Sequence, residues 1–555
     1  MLRAARKALD DWWFCCVVRE QECESGSDSN EQESRLQDRL DRMANTSSIR
    51  RHRFIMEHSS GREVSDCYTM LGTIGDGAFA TVKKAHLKHC PDVVRAVKCI
   101  RKKPRDVRFN MGLRRESFIL RSLDHPNICR LHEVFENQES IHLVMEFIEG
   151  HELFDEIKRN IRQKHFDEVR YATIMRQVFS ALAYMHEREI LHRDLKPENI
   201  MVCTESQDSK PAIKLIDFGF SVVTASVSQG NFHTAYMEGT PAYMAPEVLG
   251  GNYSSASDMW SAGVIIFVMF AGRFPISTDM AAQVQSLSKS VREVAEGLLM
   301  KIPSQRMTAV QALHHPWSAG TLVGKNSEEQ MVSFQRSMES FSDFHACNKL
   351  QKAALTALAS QLAQEDVEAL RQQFQLIDTD GNGVITKTEL LQAYEQHPPA
   401  GVINVPEWVD MIFADLDSDN SGQLEFTEYQ AACLSSFTNA SEQAMHAAFR
   451  AMDVDQNGTI SLEDLGRVIQ GSHDELLATM QLTDFGGDGS FDFNQFQALI
   501  KALAPSVSKP GAEQLNMQLI DRKATREGSC IEGSQPSTRA TPRFCTDNTV
   551  DSEVE

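Results

Sequence analysis

The chain of 555 residues carries 56 Lys/Arg against 77 Asp/Glu, a formal charge of −21, with 42% hydrophobic and 24% charged residues. That length suggests about three domains with globular composition, and the acid excess excludes a protein that grips nucleic-acid phosphates through Lys/Arg stripes. The charge is also localised: between Glu365 and Lys501 stand 24 Asp/Glu and 5 Lys/Arg, a local −19, so the rest of the chain sums to only −2.

Residues 1–67 read as a polar, charge-mixed N-terminal extension, mostly disordered after an initial WWFCCVV cluster. Met1-Leu2 does not offer the Met-Gly start of a myristoylated chain. Arg3, Arg6 and Lys7 beside Trp12, Trp13, Phe14, Cys15 and Cys16 are candidates for peripheral membrane contact, with a start lacking that role as the alternative. The cluster is too short for a signal-peptide core. Twelve cysteines, scattered singly apart from Cys15-Cys16, point to reduced thiols and a cytoplasmic protein. The longest apolar run, Ala262–Gly272, is too short for a membrane span of ~20 residues and reads as a buried helix.

From 68 to 317, β-branched runs alternate with amphipathic stretches, as in a large mixed α/β domain. IGDGAFATV, Ile74–Val82, places Gly75 and Gly77 where a strand–turn–strand can expose backbone N–H groups to phosphates. Alone, the string also fits an ordinary hairpin, and its third glycine is replaced by Ala80. The sequel changes the reading. RAVK sets Lys98 on the next strand, and a following helix carries Glu116, which can hold that lysine. HRDLKPEN (192–199), DFG (217–219) and APE (245–247) then follow in order.

This series resembles the eukaryotic protein kinases over residues 68–317. The resemblance implies an α+β bilobal fold with ATP between the lobes. Asp194 would accept the substrate hydroxyl proton, Asn199 and Asp217 would hold Mg²⁺, and Lys98, paired with Glu116, would meet the α/β-phosphates. Lys196 would neutralise charge on the transferred group. Ile74, Gly75, Gly77, Val82, Met145 and Glu146 complete the expected nucleotide pocket, with Met145 at its back and Glu146 opening the hinge. Lys196 in HRDLKPEN, with Thr240 in GTPAYMAPE, is the Ser/Thr-specific pattern, and Glu152 and Glu198 match positions that bind basic residues before the phosphoacceptor. Arg193 is placed to bind an activation-segment phosphate, with Thr234 a candidate acceptor and Glu238 a nearby acid. One departure stands out: only 34 steps separate Gly272 from Arg306, fewer than kinases of this type carry. The loss falls between two helices of the C-lobe.

Residues 318–365 form a connector with apolar residues at helical spacing: Phe334, Met338, Phe341, Leu350, Leu355, Leu358 and Leu362. Residues 366–502 repeat a helix–acidic loop–helix unit, with loops starting at Asp378, Asp417, Asp453 and Asp484. Ca²⁺ takes 6–8 oxygens, and a 12-residue EF-hand loop supplies them from positions 1, 3, 5, 7, 9 and 12 around a turning glycine. The first loop offers Asp378, Asp380, Asn382, the Val384 carbonyl and Glu389; the second offers Asp417, Asp419, Ser421, the Gln423 carbonyl and Glu428. The third keeps Asp453, Asp455, Asn457 and Thr459 but closes on Asp464, whose shorter arm predicts weaker binding. The fourth retains Asp484, Asp488 and Asp492, with Gly486 and Gln495 at ligand positions, and is the weak site. Residues 503–555 read as a disordered tail.

Kinase, connector and four EF-hands in this order resemble the calcium-dependent protein kinases of plants and alveolate protists, a match that includes NKLQKAALTALASQL at 348–362. The implied architecture is a bilobal kinase followed by an all-α calmodulin-like domain. The implied activity is calcium-activated phosphorylation of protein Ser/Thr using ATP and Mg²⁺. Ca²⁺ opens an EF-hand groove for an amphipathic helix, so the connector is the expected intramolecular partner, inhibiting at low calcium and gripped at high calcium. The alternative is a calcium-sensing scaffold whose shortened C-lobe no longer transfers phosphate.

Overall fold

The computed structural model describes residues 54–502 apart from 59–61, 78–79, 104, 164–165, 204–210, 225–231, 234–236, 276–279, 321–327, 363, 399–401, 403, 435–440, 470–472 and 482–488. The Trp12–Cys16 cluster, Thr234, Asp484 and Asp488 lie outside the described residues.

The N-lobe is a six-stranded sheet of β1 (Met56–His58), β2 (Tyr68–Asp76), β3 (Ala80–Leu87), β4 (Cys90–Arg101), β5 (Leu131–Glu136) and β6 (Ser140–Glu146), in the order β1-β5-β6-β4-β3-β2. Helix α1 (Val107–Ser122) starts where the Asp106 carboxylate accepts the Phe109 N–H. The N-terminal extension was expected to be mostly disordered, yet Met56–His58 forms an edge strand and Val64–Cys67 a helical turn.

In the C-lobe, α2 (Leu153–Gln163) and α3 (Glu168–Glu187) precede the loop that holds the catalytic motifs. The apolar run seen in the sequence lies in α4 (Ser255–Ala271), buried from Ser257 to Met269. A helix apolar all round belongs inside a lobe. It stops at Gly272, whose φ of +67° suits glycine and whose N–H bonds Val268 O. No helix among the described residues is long and apolar enough to cross a membrane.

The shortening falls between α4 and α5 (Lys289–Leu298), a stretch in which the described residues form only the short helix Met280–Val284. It does not disturb the lobe's anchoring ion pair. Arg306, its side chain fully buried, donates to both Glu247 oxygens at 2.5 and 3.0 Å and to the Met300 and Ala256 carbonyls. Removing one partner of a buried pair strands the other charge. Arg306→Ala should therefore cost about 3–5 kcal/mol of kinase-domain stability, read as a lowered denaturation midpoint; an unchanged midpoint would refute the anchoring role.

The expected long connector is two helices, α6 (Glu328–Ala346) and α7 (Lys349–Gln361). The break comes at Asn348, whose side chain accepts the Gln351 N–H while Gln351 bonds back to the Asn348 N–H, a capping box that starts a new helix. The remaining helices are α8 (Gln364–Ile377), α9 (Lys387–Gln396), α10 (Val405–Leu416), α11 (Phe426–Leu434), α12 (Glu442–Met452), α13 (Leu462–Val468), α14 (His473–Gln481) and α15 (Phe493–Lys501). They flank loops joined in pairs by short antiparallel bridges, Ile385 to Leu424 and Ile460 to Phe491. The second bridge pairs the third acidic loop with residues 490–491, ahead of α15.

Candidate functional site

The cleft is built by strands that fix lysine and by tight turns that fix carboxylates. Lys98 on β4 places Nζ 2.6 Å from Glu116 Oε1 on α1 and 2.7 Å from Asp217 Oδ1. Burial opposes its charge, but Asp217 and Glu116 hold the ammonium above its ordinary pKa. Burial likewise works against the Asp217 carboxylate, and Lys98 overrides it, pulling the pKa down to about 2. Asp217 sits at φ +64° and Arg193 at φ +67°, conformations that non-glycine residues hold only under strong constraint.

Asp194, almost fully buried, accepts from Lys196 Nζ at 2.7 Å and from Thr240 Oγ1 at 2.6 Å. Asn199 Nδ2 donates to the Asp194 carbonyl at 2.8 Å. The structure thus brings together Lys98, Glu116, Asp217, Asp194, Lys196, Asn199 and Thr240. Asp217 and Asn199 are oxygen donors suited to Mg²⁺, and Asp217 is ionised and partly open.

Gly75 pairs with Val82 across β2 and β3, and Gly77 N–H bonds Ala80 O, closing the turn of the glycine loop. Ile74 is exposed there. Met145 is partly buried against the kinase core cluster. Glu146 differs in detail: its side chain is engaged by Lys214 at 2.8 Å and by the Arg130 N–H at 2.9 Å, so it braces the hinge.

One support was not singled out in the sequence. Asp258 on α4 accepts from His192 N–H, Arg193 N–H and His186 Nε2 at 2.9–3.0 Å, tying down the catalytic loop. Its signal was available, a carboxylate in the first turn of an apolar helix. Arg193 reaches Glu238 at 2.8 Å and lies over the Tyr253 ring, so an acid already occupies the partner position considered for a phosphate.

Carboxylates of three acidic loops come together in the structure. Ligand oxygens of Asp378, Asp380 and Glu389, of Asp417, Asp419 and Glu428, and of Asp453, Asp455 and Asp464 cluster within 4.8 Å in each set. The position-six glycines, Gly383, Gly422 and Gly458, have φ of +84°, +81° and +91°. Burial, aided by Glu389 and Asp380, drives the Asp378 pKa well above the usual carboxylate range. Burial, aided by Asp419 and Glu425, does the same to Glu428. Crowded carboxylates of this kind fit a divalent cation. Asp464 closes the third cluster despite its shorter arm. Asp492 caps α15 by accepting the Gln495 N–H.

The connector lies inside this module. Every α7 residue from Ala353 to Gln361 is buried, and Phe334, Met338 and Phe341 of α6 join the same apolar cluster. The module also docks on the kinase. Val384, fully buried, belongs to the kinase core cluster. Thr427 donates twice to Asp124, and Glu425 accepts from Arg188 and Tyr184. Arg130 reaches the Ala359 carbonyl at 3.1 Å, and Arg95 reaches Gln361 at 2.9 Å. On the N-lobe, Arg450 of α12 grips Glu133 at 2.5 and 3.0 Å. Burial would raise the Glu133 pKa, but Arg450 and bonds from His58 and Tyr68 bring it down to about 2.

Comparison with known proteins adds sequence relationships to this geometry. A protein kinase domain family matches residues 68–318, an EF-hand domain pair matches 367–434, and an EF hand matches 445–469. Calcium-dependent protein kinase 3 of Plasmodium berghei (strain Anka) is 33% identical over 454 residues, covering 77% of this chain and 79% of the relative. Calcium-dependent protein kinase 5 of Plasmodium falciparum (isolate 3D7) is 31% identical over 470 residues, covering 79% and 78%. Calcium-dependent protein kinase 7 of Arabidopsis thaliana is 28% identical over 472 residues, covering 81% and 85%.

Proposed function

The chain belongs to the calcium-dependent protein kinases, and from that premise we propose how its residues divide the work of a calcium-activated Ser/Thr kinase. Asp194 accepts the proton of the substrate hydroxyl while Thr240 and Lys196 hold its carboxylate in place. Lys98 binds the α/β-phosphates, kept charged and aimed by Glu116. Asn199 and Asp217 would hold Mg²⁺, which when bound neutralises charge on the phosphates. Lys196 faces the charge developing on the transferred group. The observation that carries the enzyme reading over the scaffold is the closed set Glu116–Lys98–Asp217 beside Asp194–Lys196–Thr240.

Calcium enters through the first three loops, with the fourth as a weaker site. A gripped connector accompanies the assembled cleft, which supports activation by capture of α6 and α7. At low calcium, the freed connector obstructs or misaligns the kinase. None of the seven cysteines among the described residues is in a disulfide, which supports a cytoplasmic site of action.

The test is transfer of radiolabelled phosphate from ATP to a basic Ser/Thr peptide by the full chain, with calcium and with chelator. Incorporation in calcium alone is expected. None in either condition would favour the scaffold, and equal incorporation in both would refute the gating. Glu152 and Glu198 are proposed to read basic residues before the phosphoacceptor. Their joint exchange for Ala should flatten an upstream-Arg preference on a peptide array by about tenfold, and an unaltered preference would rule that role out.

A further inference from the structure

The N-terminal segment immediately before the kinase domain lies between the two functional halves. Phe54, 1% exposed, sits in the EF-hand apolar cluster, whereas its neighbour Ile55, 6% exposed, sits in the kinase cluster with Ile119, Leu120 and Leu123. Consecutive side chains are therefore anchored in different modules. The next three residues form β1, parallel to β5 with Met56 opposite Glu133, Glu57 opposite Val134 and His58 opposite Phe135.

Each strand residue also has its own partner. Met56 Sδ lies 3.4 Å from Gln456 Nε2, Glu57 forms an ion pair with Arg121 of α1, and His58 Nε2 meets Glu133 at 3.2 Å while stacking on Phe135. Glu133 is the carboxylate held by Arg450. Arg450 and Gln456 flank Asp453, the first residue of the third calcium loop, from the helix before it and from within it. On the opposite side, Glu57 bears on α1, the helix that carries Glu116, through Arg121, and Ile55 belongs to the core cluster that α1 helps to build.

We propose that residues 54–58 are a positioning strap that ties the third calcium loop to α1, so that the seating of Glu116 on Lys98 depends on the state of that loop. Buried anchors at Phe54 and Ile55 supply the hold. The partly exposed Glu57–Arg121 pair adds little energy and sets the strand's placement along α1. When the loop and α12 withdraw from β5, Phe54 and Glu133 lose partners together, the strap loosens, and α1 loses the Glu57–Arg121 tie while Ile55 loses its fixed seat in the shared core cluster. A small displacement of a positioned catalytic group is enough to lower turnover strongly.

The inference rests on the calcium-gated reading, and one set of measurements on the full chain separates the two. Turnover and peptide KM are measured with calcium and with chelator, and backbone hydrogen exchange is followed over residues 107–122 and 131–136. Phe54→Ala should lower calcium-saturated kcat about tenfold or more, leave peptide KM unchanged and remove calcium-dependent protection on α1; Phe54→Leu should restore most of both. Glu57→Arg, a surface change that spares the core, should produce a smaller loss that Arg121→Glu reverses. A wild type stimulated by calcium, with Phe54→Ala equally stimulated and equally protected, overturns the strap alone. A wild type that turns over equally in calcium and chelator overturns the gating, and with it the relay.

Discussion

Asp194→Asn is expected to lower calcium-saturated turnover of the full chain by about 10²–10⁴-fold, the usual contribution of a positioned general base. The change removes the carboxylate assigned to take the proton while keeping its shape. Asn199 would still donate to the residue-194 carbonyl, and with the amide oxygen in the Oδ2 position Lys196 would keep its acceptor, while Thr240, which now donates to Oδ1, would accept from the amide instead. Thermal unfolding should therefore stay close to wild type, and ATP affinity should change little because Lys98 and Asp217 are untouched. Steady-state phosphorylation beside a melting curve checks it. Retention of more than about a tenth of wild-type turnover would remove Asp194 from the role of base.

Glu389→Gln combined with Glu428→Gln should raise the calcium midpoint for activation by at least about 10–100-fold, the loss that even supporting residues produce at metal sites. Each exchange removes one anionic ligand from a cluster confined within 4.8 Å. Glu389 also accepts from Thr379, Asp380 and Thr386 N–H groups, and Glu428 from Ser418 and Glu425. A glutamine amide can retain only part of that bonding. The effect should reach the kinase directly because both loops abut it: a Cβ on Gly383 would fall 1.9 Å from His125 Nε2, and Gln423 bonds Glu187. Titration of kinase activity against free calcium reads the midpoint. An unshifted midpoint would transfer calcium sensing to the third and fourth hands.

The catalytic cleft was legible because its chemistry comes in short contiguous strings. The calcium loops were legible because one ion imposes a fixed spacing on 12 residues. Contacts between modules carry no such signature. Glu133 meets Arg450 across 317 positions, and Arg130 meets Gln430 across 300, with no periodicity to mark either. Phe54 and Ile55 sit in HRFIMEH, whose apolar residues serve two different cores and so show neither strand nor helix alternation. The connector's apolar spacing was correct on both sides of Asn348. A capping box is easily read through when apolar residues keep helical spacing on both sides of it.

The burial of Val384 in the kinase core has a further consequence. The same residue supplies the position-seven carbonyl expected to bind calcium, so this loop is anchored in the kinase core by one of its own expected ligands. Free-energy coupling is reciprocal. A nucleotide or protein substrate that favours the docked arrangement must then tighten calcium binding by the factor by which calcium tightens theirs. Calcium sensitivity is in that sense a property of the loaded enzyme: the same ion concentration weighs more heavily on a molecule already holding its substrates.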